Sequence, residues 1–159
     1  MNALAERIAA ALLKKRAMLA TAESCTGGWA AQALTAIAGS SSWFERGFVT
    51  YSNAAKQEML GVRPQTLARH GAVSEETARE MALGALAHSR GDVALAITGV
   101  AGPSGGSAEK PVGTVCFAWA TKDGAARAET RRFAGDREAV RRQSVERALQ
   151  GVLELLDAG

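Results

Sequence analysis

The sequence predicts an α/β protein: a three-layer α/β/α sandwich on a mixed, mostly parallel five-stranded sheet. Three observations predict it. Helix and strand patterns follow one another in the order α-β-α-β-α-α-β-β-β-α, a mixed order that places helices against a sheet. The strand candidates are mostly short apolar runs, the pattern of strands covered on both faces. The length of 159 residues suits one domain, residues 1–159, which can bury ~70% of its unfolded surface and needs no disulfide or metal to fold.

Leu4, Ile8 and Leu12 recur at helical spacing among Glu6, Arg7, Lys14 and Lys15, which predicts an amphipathic helix over 2–16. Residues 17–22 read as a short buried strand. A polar, glycine-rich segment, 23–28, precedes an alanine-rich helix that runs to Ala38 and ends at 39–42. Phe44 to Tyr51 reads as a strand. Ser52 and Asn53 are a capping pair for a helix over 54–60, which Gly61 stops before Pro64 restarts the chain. Residues 70–73 are a connector. Ser74-Glu75-Glu76-Thr77 resembles a capping box, with Ser74 as N-cap of a helix to about Ser89. Asp92 to Thr98 is a buried strand. Gly99 to Pro111 is a loop of thirteen residues, four of them Gly and two Pro, and loops of that length in compact domains are often functional. Residues 112–120 and 128–133 form a hairpin around Lys122-Asp123-Gly124. Gly135-Asp136 caps a last helix, in which Val145, Leu149, Val152 and Leu156 repeat at helical spacing.

Apolar residues at 47% and charged residues at 22% are the balance of a soluble globular protein, and with 5% aromatics the core must come from Ala, Val, Leu and Ile. A formal charge of +3 is too small to argue for nucleic acid or a membrane surface. Seven of the fourteen arginines lie between Arg127 and Arg147; they read either as an anion site or as a solvated helix face. Cys25 and Cys116 stand in unrelated contexts, and no Cys/His cluster has metal-ligand spacing, so no metal site is expected. Met1 to Arg16 lacks the order of a signal peptide, and no apolar run approaches the ~20 residues of a membrane span. The expectation is a cytoplasmic protein. The alanine-rich helices offer packing surfaces for a homo-oligomer, a dimer or trimer.

Three segments place polar or glycine-rich residues just after buried strands, the edge where open α/β sheets bind ligands. Ser24 stands at a strand-to-helix junction near the free N–H groups of a helix start; Gly27 and Gly28 allow close approach of a ligand. Ser24 or Thr26 reads equally well as the N-cap of that helix. The segment is neither a Walker A loop nor a Gly-x-Ser-x-Gly elbow. Tyr51 at a strand end and Lys56 in the first turn of the next helix can converge on one point. A lysine whose proton affinity is lowered by the helix dipole and desolvation can act as base for a serine; the alternative is an exposed surface lysine. Thr98-Gly99-Val100-Ala101-Gly102 can cradle a phosphate or sugar with backbone N–H groups, or simply connect two strands.

Taken together, these segments resemble the CinA C-terminal domain family, whose stand-alone members are nicotinamide-nucleotide amidohydrolases. The residues that carry the resemblance are 22–28 (Ala-Glu-Ser-Cys-Thr-Gly-Gly), 49–56 (Val-Thr-Tyr-Ser-Asn-Ala-Ala-Lys), 70–74 (His-Gly-Ala-Val-Ser), 98–103 (Thr-Gly-Val-Ala-Gly-Pro) and 110–115 (Lys-Pro-Val-Gly-Thr-Val). The resemblance spans nearly the whole chain in order. It implies hydrolysis of nicotinamide mononucleotide to nicotinate mononucleotide and ammonia without metal or cofactor. It implies Ser24 as nucleophile, Lys56 as base and Tyr51 as assisting hydroxyl. It places Thr26, Gly27, Gly28, Thr98, Gly99, Arg137 and Arg141 around the substrate. The rival expectation is a non-catalytic module that binds a nucleotide or a partner in a competence or DNA-damage context.

Overall fold

The computed structural model describes residues 1–158. Its sheet has the order β2-β1-β3-β4-β5, built from β1 (Leu19–Glu23), β2 (Phe44–Val49), β3 (Val93–Gly99), β4 (Thr114–Thr121) and β5 (Ala126–Arg132). Helices α1 (Asn2–Lys15), α2 (Trp29–Thr35) and α6 (Arg137–Ala158) cover one face. Helices α3 (Asn53–Leu60), α4 (Pro64–His70) and α5 (Glu75–Ala87) lie on the other. This is the three-layer arrangement the element order predicts.

Two details differ from the expectation. The sheet is mixed, but its ladders divide evenly: β1 pairs parallel with β2 and β3, whereas β3–β4 and β4–β5 are antiparallel. No crossover helix separates the last three strands, so each must reverse the direction of the one before it. The connector after Gly61 also holds a helix, α4, that periodicity does not announce. Pro64 starts it at the first turn, where a missing N–H costs nothing. Its seven residues bury only Thr66 fully, too little for an apolar pattern to register. At the other junctions the boundaries move by a few residues; α2 stops at Thr35, and a single 3₁₀ turn follows at Ser40–Ser42.

The caps that the sequence implies are formed. Ser52 Oγ accepts from Ala55 N–H (3.0 Å), Ser74 Oγ from Thr77 N–H (3.1 Å) and Asp136 Oδ1 from Ala139 N–H (2.9 Å). Thr77 does not return the bond as a capping-box Glu would; its hydroxyl donates to Gly71 O. Among the described residues, no helix is long and apolar enough to cross a membrane.

The pleat divides the core. Side chains alternate across a strand, and in β3 and β4 the large ones fall on one side: Leu95, Ile97, Phe117 and Trp119 pack with Ile8, Leu12, Leu34 and Leu149. The opposite side carries Ala94, Ala96, Ala118 and Ala120, with Ala20 and Ala22 of β1, beneath Met81, Ala82 and Ala85 of α5.

Candidate active site

β1 is the parallel neighbour of both β2 and β3, and its ladders continue past its end. Thr50 N–H donates to Glu23 O (2.8 Å), and Ser24 N–H donates to Ile97 O (2.9 Å). The last two residues of this edge are therefore held in strand register, and their side chains point to opposite faces. Ser24 joins the alanine side, toward α3 and α5. Glu23 joins the other side, toward α2.

On the alanine side Ser24 meets Lys56. Lys56 and Leu60 are the buried residues of α3, at i, i+4. Lys56 is 1% exposed, and its Nζ lies 3.0 Å from Ser24 Oγ and donates to Thr50 O at 3.0 Å. No carboxylate pairs with this amine among the described residues. Burial lowers its proton affinity below the ordinary lysine value, and the field of the neighbouring Cys25 opposes that only in part. Desolvation is the largest cause of the shift, and Lys56, the fourth residue of α3, stands in the first turn of the helix as the sequence implies. A desolvated amine within hydrogen-bond reach of a hydroxyl is the geometry of a nucleophile and its base. Cys25 offers no competing nucleophile; desolvation, helped by the Glu23 charge, pushes its thiol up to about 12.

Glu23 escapes a reading that ends the strand at Ala22. Its carboxylate is fully buried and accepts from Thr26 Oγ1 (2.6 Å), Ala30 N–H (2.8 Å) and Ala31 N–H (3.0 Å). It caps α2 from outside the helix, a role the sequence left between Ser24 and Thr26; the N-cap position itself is Gly28, at φ +106°. A charged residue at the end of an otherwise apolar strand was the available signal.

The remaining candidates gather along the same edge, several of them tied down. Tyr51 is 60% exposed, and its hydroxyl accepts from Arg137 Nη2 (3.0 Å), not from Lys56. Arg137 also donates to Gly102 O (2.7 Å), which joins the glycine loop to the tyrosine. Arg141 donates from Nε to Cys25 O and from Nη2 to Thr26 O, both at 3.1 Å. Gly27, at φ +60°, passes beneath this guanidinium; a Cβ there would lie 3.3 Å from Nη2. Thr98 Oγ1 donates to Ala72 O (2.8 Å), and Gly99 packs against Val115. The backbone N–H groups of Cys25, Thr26 and Gly28 bond to no other described residue. A cleft of about 550 Å³ on the same face, lined by His70, Arg79, Lys110 and Arg132 among others, contains neither Ser24 nor Lys56. Its Lys110 and Arg132 are engaged by the His70 and Glu109 carbonyls.

The model of the CinA C-terminal domain family matches residues 1–156. The nicotinamide-nucleotide amidohydrolase PncC of Escherichia coli (strain K12) is 60% identical over 147 residues, 92% of this chain and 89% of that protein. PncC of Pseudomonas putida is 53% identical over 153 residues, 96% of this chain and 94% of that protein. The crystal structure of the competence/damage inducible protein CihA from Agrobacterium tumefaciens superposes with a TM-score of 0.94 at 49% identity, covering 98% of this chain and 94% of that one.

Proposed function

The chain belongs to the CinA C-terminal domain family, and from that premise we propose that it is an amidohydrolase that converts nicotinamide mononucleotide to nicotinate mononucleotide and ammonia. The observation that carries the chemistry is the 3.0 Å approach of Lys56 Nζ to Ser24 Oγ at a buried site. The amine reaches that hydroxyl and the Thr50 carbonyl, with no carboxylate partner among the described residues. Burying that amine costs stability, and activating a hydroxyl is a reason to retain it.

In this reading the neutral Lys56 takes the Ser24 proton as Oγ attacks the carboxamide carbon. The tetrahedral oxyanion is met by N–H groups of the Cys25–Gly28 turn. Lys56, directly or with Tyr51, returns the proton to the nitrogen, and ammonia leaves an acyl-enzyme. Water, activated by the same lysine, then releases the nicotinate product and restores Ser24. The substrate phosphate is matched by the positive edge formed by Arg137 and Arg141 with the glycine loop.

The test is ammonia release on nicotinamide mononucleotide, nicotinamide and glutamine in parallel. The nucleotide is the expected substrate. Ser24→Ala and Lys56→Arg each lower kcat at least about 10³-fold with the fold intact by circular dichroism, since a guanidinium cannot serve as base. Binding of the nucleotide without turnover by the unmodified protein would refute the amidohydrolase reading.

A further inference from the structure

The turn that follows Ser24 has an unusual support. A helix start leaves several N–H groups without partners, and a Ser, Thr, Asp or Asn at the N-cap ordinarily satisfies one of them. Here the N-cap is Gly28, whose φ of +106° is poorly tolerated by any side chain. With no side chain at the junction, the acceptor must come from elsewhere in the chain. Glu23 supplies it from beneath, and its three donors all lie within the turn and the first turn of α2. Only a carboxylate accepts three such bonds without presenting a donor of its own.

Above the turn, Arg141 holds the carbonyls of Cys25 and Thr26. A trans peptide places its N–H opposite its carbonyl, so the Thr26 N–H is turned away from the guanidinium. Between the carboxylate and the guanidinium the two peptides have little freedom. A buried charge is weak evidence for stability, because an apolar packing would often be at least as favourable. It is well suited to holding a backbone geometry that a reaction requires.

We propose that Glu23 is a positioning residue for hydrolysis: its carboxylate fixes the Ser24–Gly28 turn so that the turn's unpaired N–H groups are aimed at the oxyanion before substrate arrives. This rests on Ser24 being the nucleophile. Glu23 touches no reacting atom; it acts through Thr26, Ala30 and Ala31.

The experiment compares a ligand that develops the oxyanion with one that does not. The first is the nucleotide whose carboxamide is replaced by an aldehyde, which adds a serine hydroxyl reversibly to give a tetrahedral hemiacetal. The second is the product, nicotinate mononucleotide. Glu23→Gln keeps the shape but turns an amide N–H₂ toward the Ala31 or Ala30 N–H. It is expected to weaken the aldehyde at least about 10-fold and lower kcat comparably, while product affinity and KM change less than about 2-fold. Equal weakening of both ligands, or of neither, overturns the proposal, because a merely structural cap has no reason to discriminate between them. If Glu23→Gln fails to fold, Thr26→Val, which deletes one of the three donors, must show the same selective loss at smaller size; an unselective Thr26→Val overturns the proposal as well. Ser24→Ala separates the two levels. If it retains turnover and aldehyde affinity, the nucleophile assignment fails; if it loses both while Glu23→Gln behaves as the unmodified protein, only the role of Glu23 fails.

Discussion

The two faces of the sheet solve different problems. Between the sheet and the α1/α2/α6 layer, leucines, Ile8, Phe117 and Trp119 fill the space, and the Trp119 indole N–H donates to Ala148 O at 2.9 Å. Between the sheet and the α3/α5 layer the strands present alanine, and α5 answers with Ala78, Ala82 and Ala85. The first face supplies apolar burial, at roughly 25 cal/mol per Å². The second gives up side-chain volume and lets α5 lie close on the sheet; α3 packs against α5, and its four-carbon lysine stem reaches the end of β1. Each face also has a glycine where a helix comes closest. A Cβ on Gly151 would overlap the Trp119 ring, and one on Gly84 would overlap the Leu60 carbonyl oxygen at the end of the helix that carries Lys56.

Neighbouring residues of β3 separate the two roles most sharply. Leu95→Ala, on the large-residue face, should cost ~2–5 kcal/mol through the cavity it leaves, with kcat of the folded protein within about 2-fold of normal. Ala96→Leu, on the alanine face, should cost ~1–3 kcal/mol by overpacking and also lower kcat about 10-fold as the helix layer is displaced. Denaturant unfolding beside ammonia release measures both, and equal effects on kcat would erase the distinction. The glycines form a second pair. Gly151→Ala and Gly84→Ala should each destabilise by about 1–3 kcal/mol, but only Gly84→Ala should reduce the activity of the folded fraction. Its helix abuts the end of the one that positions Lys56.

The lysine itself sharpens the contrast further. In the proposed mechanism Lys56 acts in its neutral form, and burial lowers its affinity for a proton. Activity should therefore rise with pH as Lys56 loses its proton, with a midpoint below the ordinary value of 10.5. A pH–rate profile of kcat/KM without an ascending limb would remove Lys56 as base. The sign for stability is the same: the unfolded chain binds the proton more tightly, so Lys56 destabilises the fold at low pH, and the penalty fades as pH rises from its lowered folded pKa to the ordinary value of 10.5. The smallest expected effect is on thermal stability. Lys56→Met keeps the stem volume and removes the buried amine, so Tm should hold or rise by up to about 4 °C while activity is lost. A large fall in Tm would mean that the amine is there to hold the fold together.

Much of this was legible before any coordinates. The apolar alternations and the caps at Ser52, Ser74 and Asp136 are local signals, and they located nearly every element. Ser24, Tyr51 and Lys56 stood out because each falls at the end of a strand or the start of a helix. Helix α4 did not, since one buried threonine makes no pattern; the β4–β5 hairpin was legible from its turn, but the antiparallel return of β4 along β3 depends on how a long loop folds back rather than on its composition. Residue types and spacing thus determined which groups are available for chemistry. Only the tertiary structure decided which of them meet. The pleat sends Glu23 and Ser24 to opposite faces, and α3, packed against the α5 helix that lies on the alanine layer, seats Lys56 against Ser24. Packing between distant segments turned Arg137 toward Tyr51 and Arg141 toward the Cys25–Thr26 backbone. Contacts across a sheet join residues far apart in the chain, and no local periodicity encodes them.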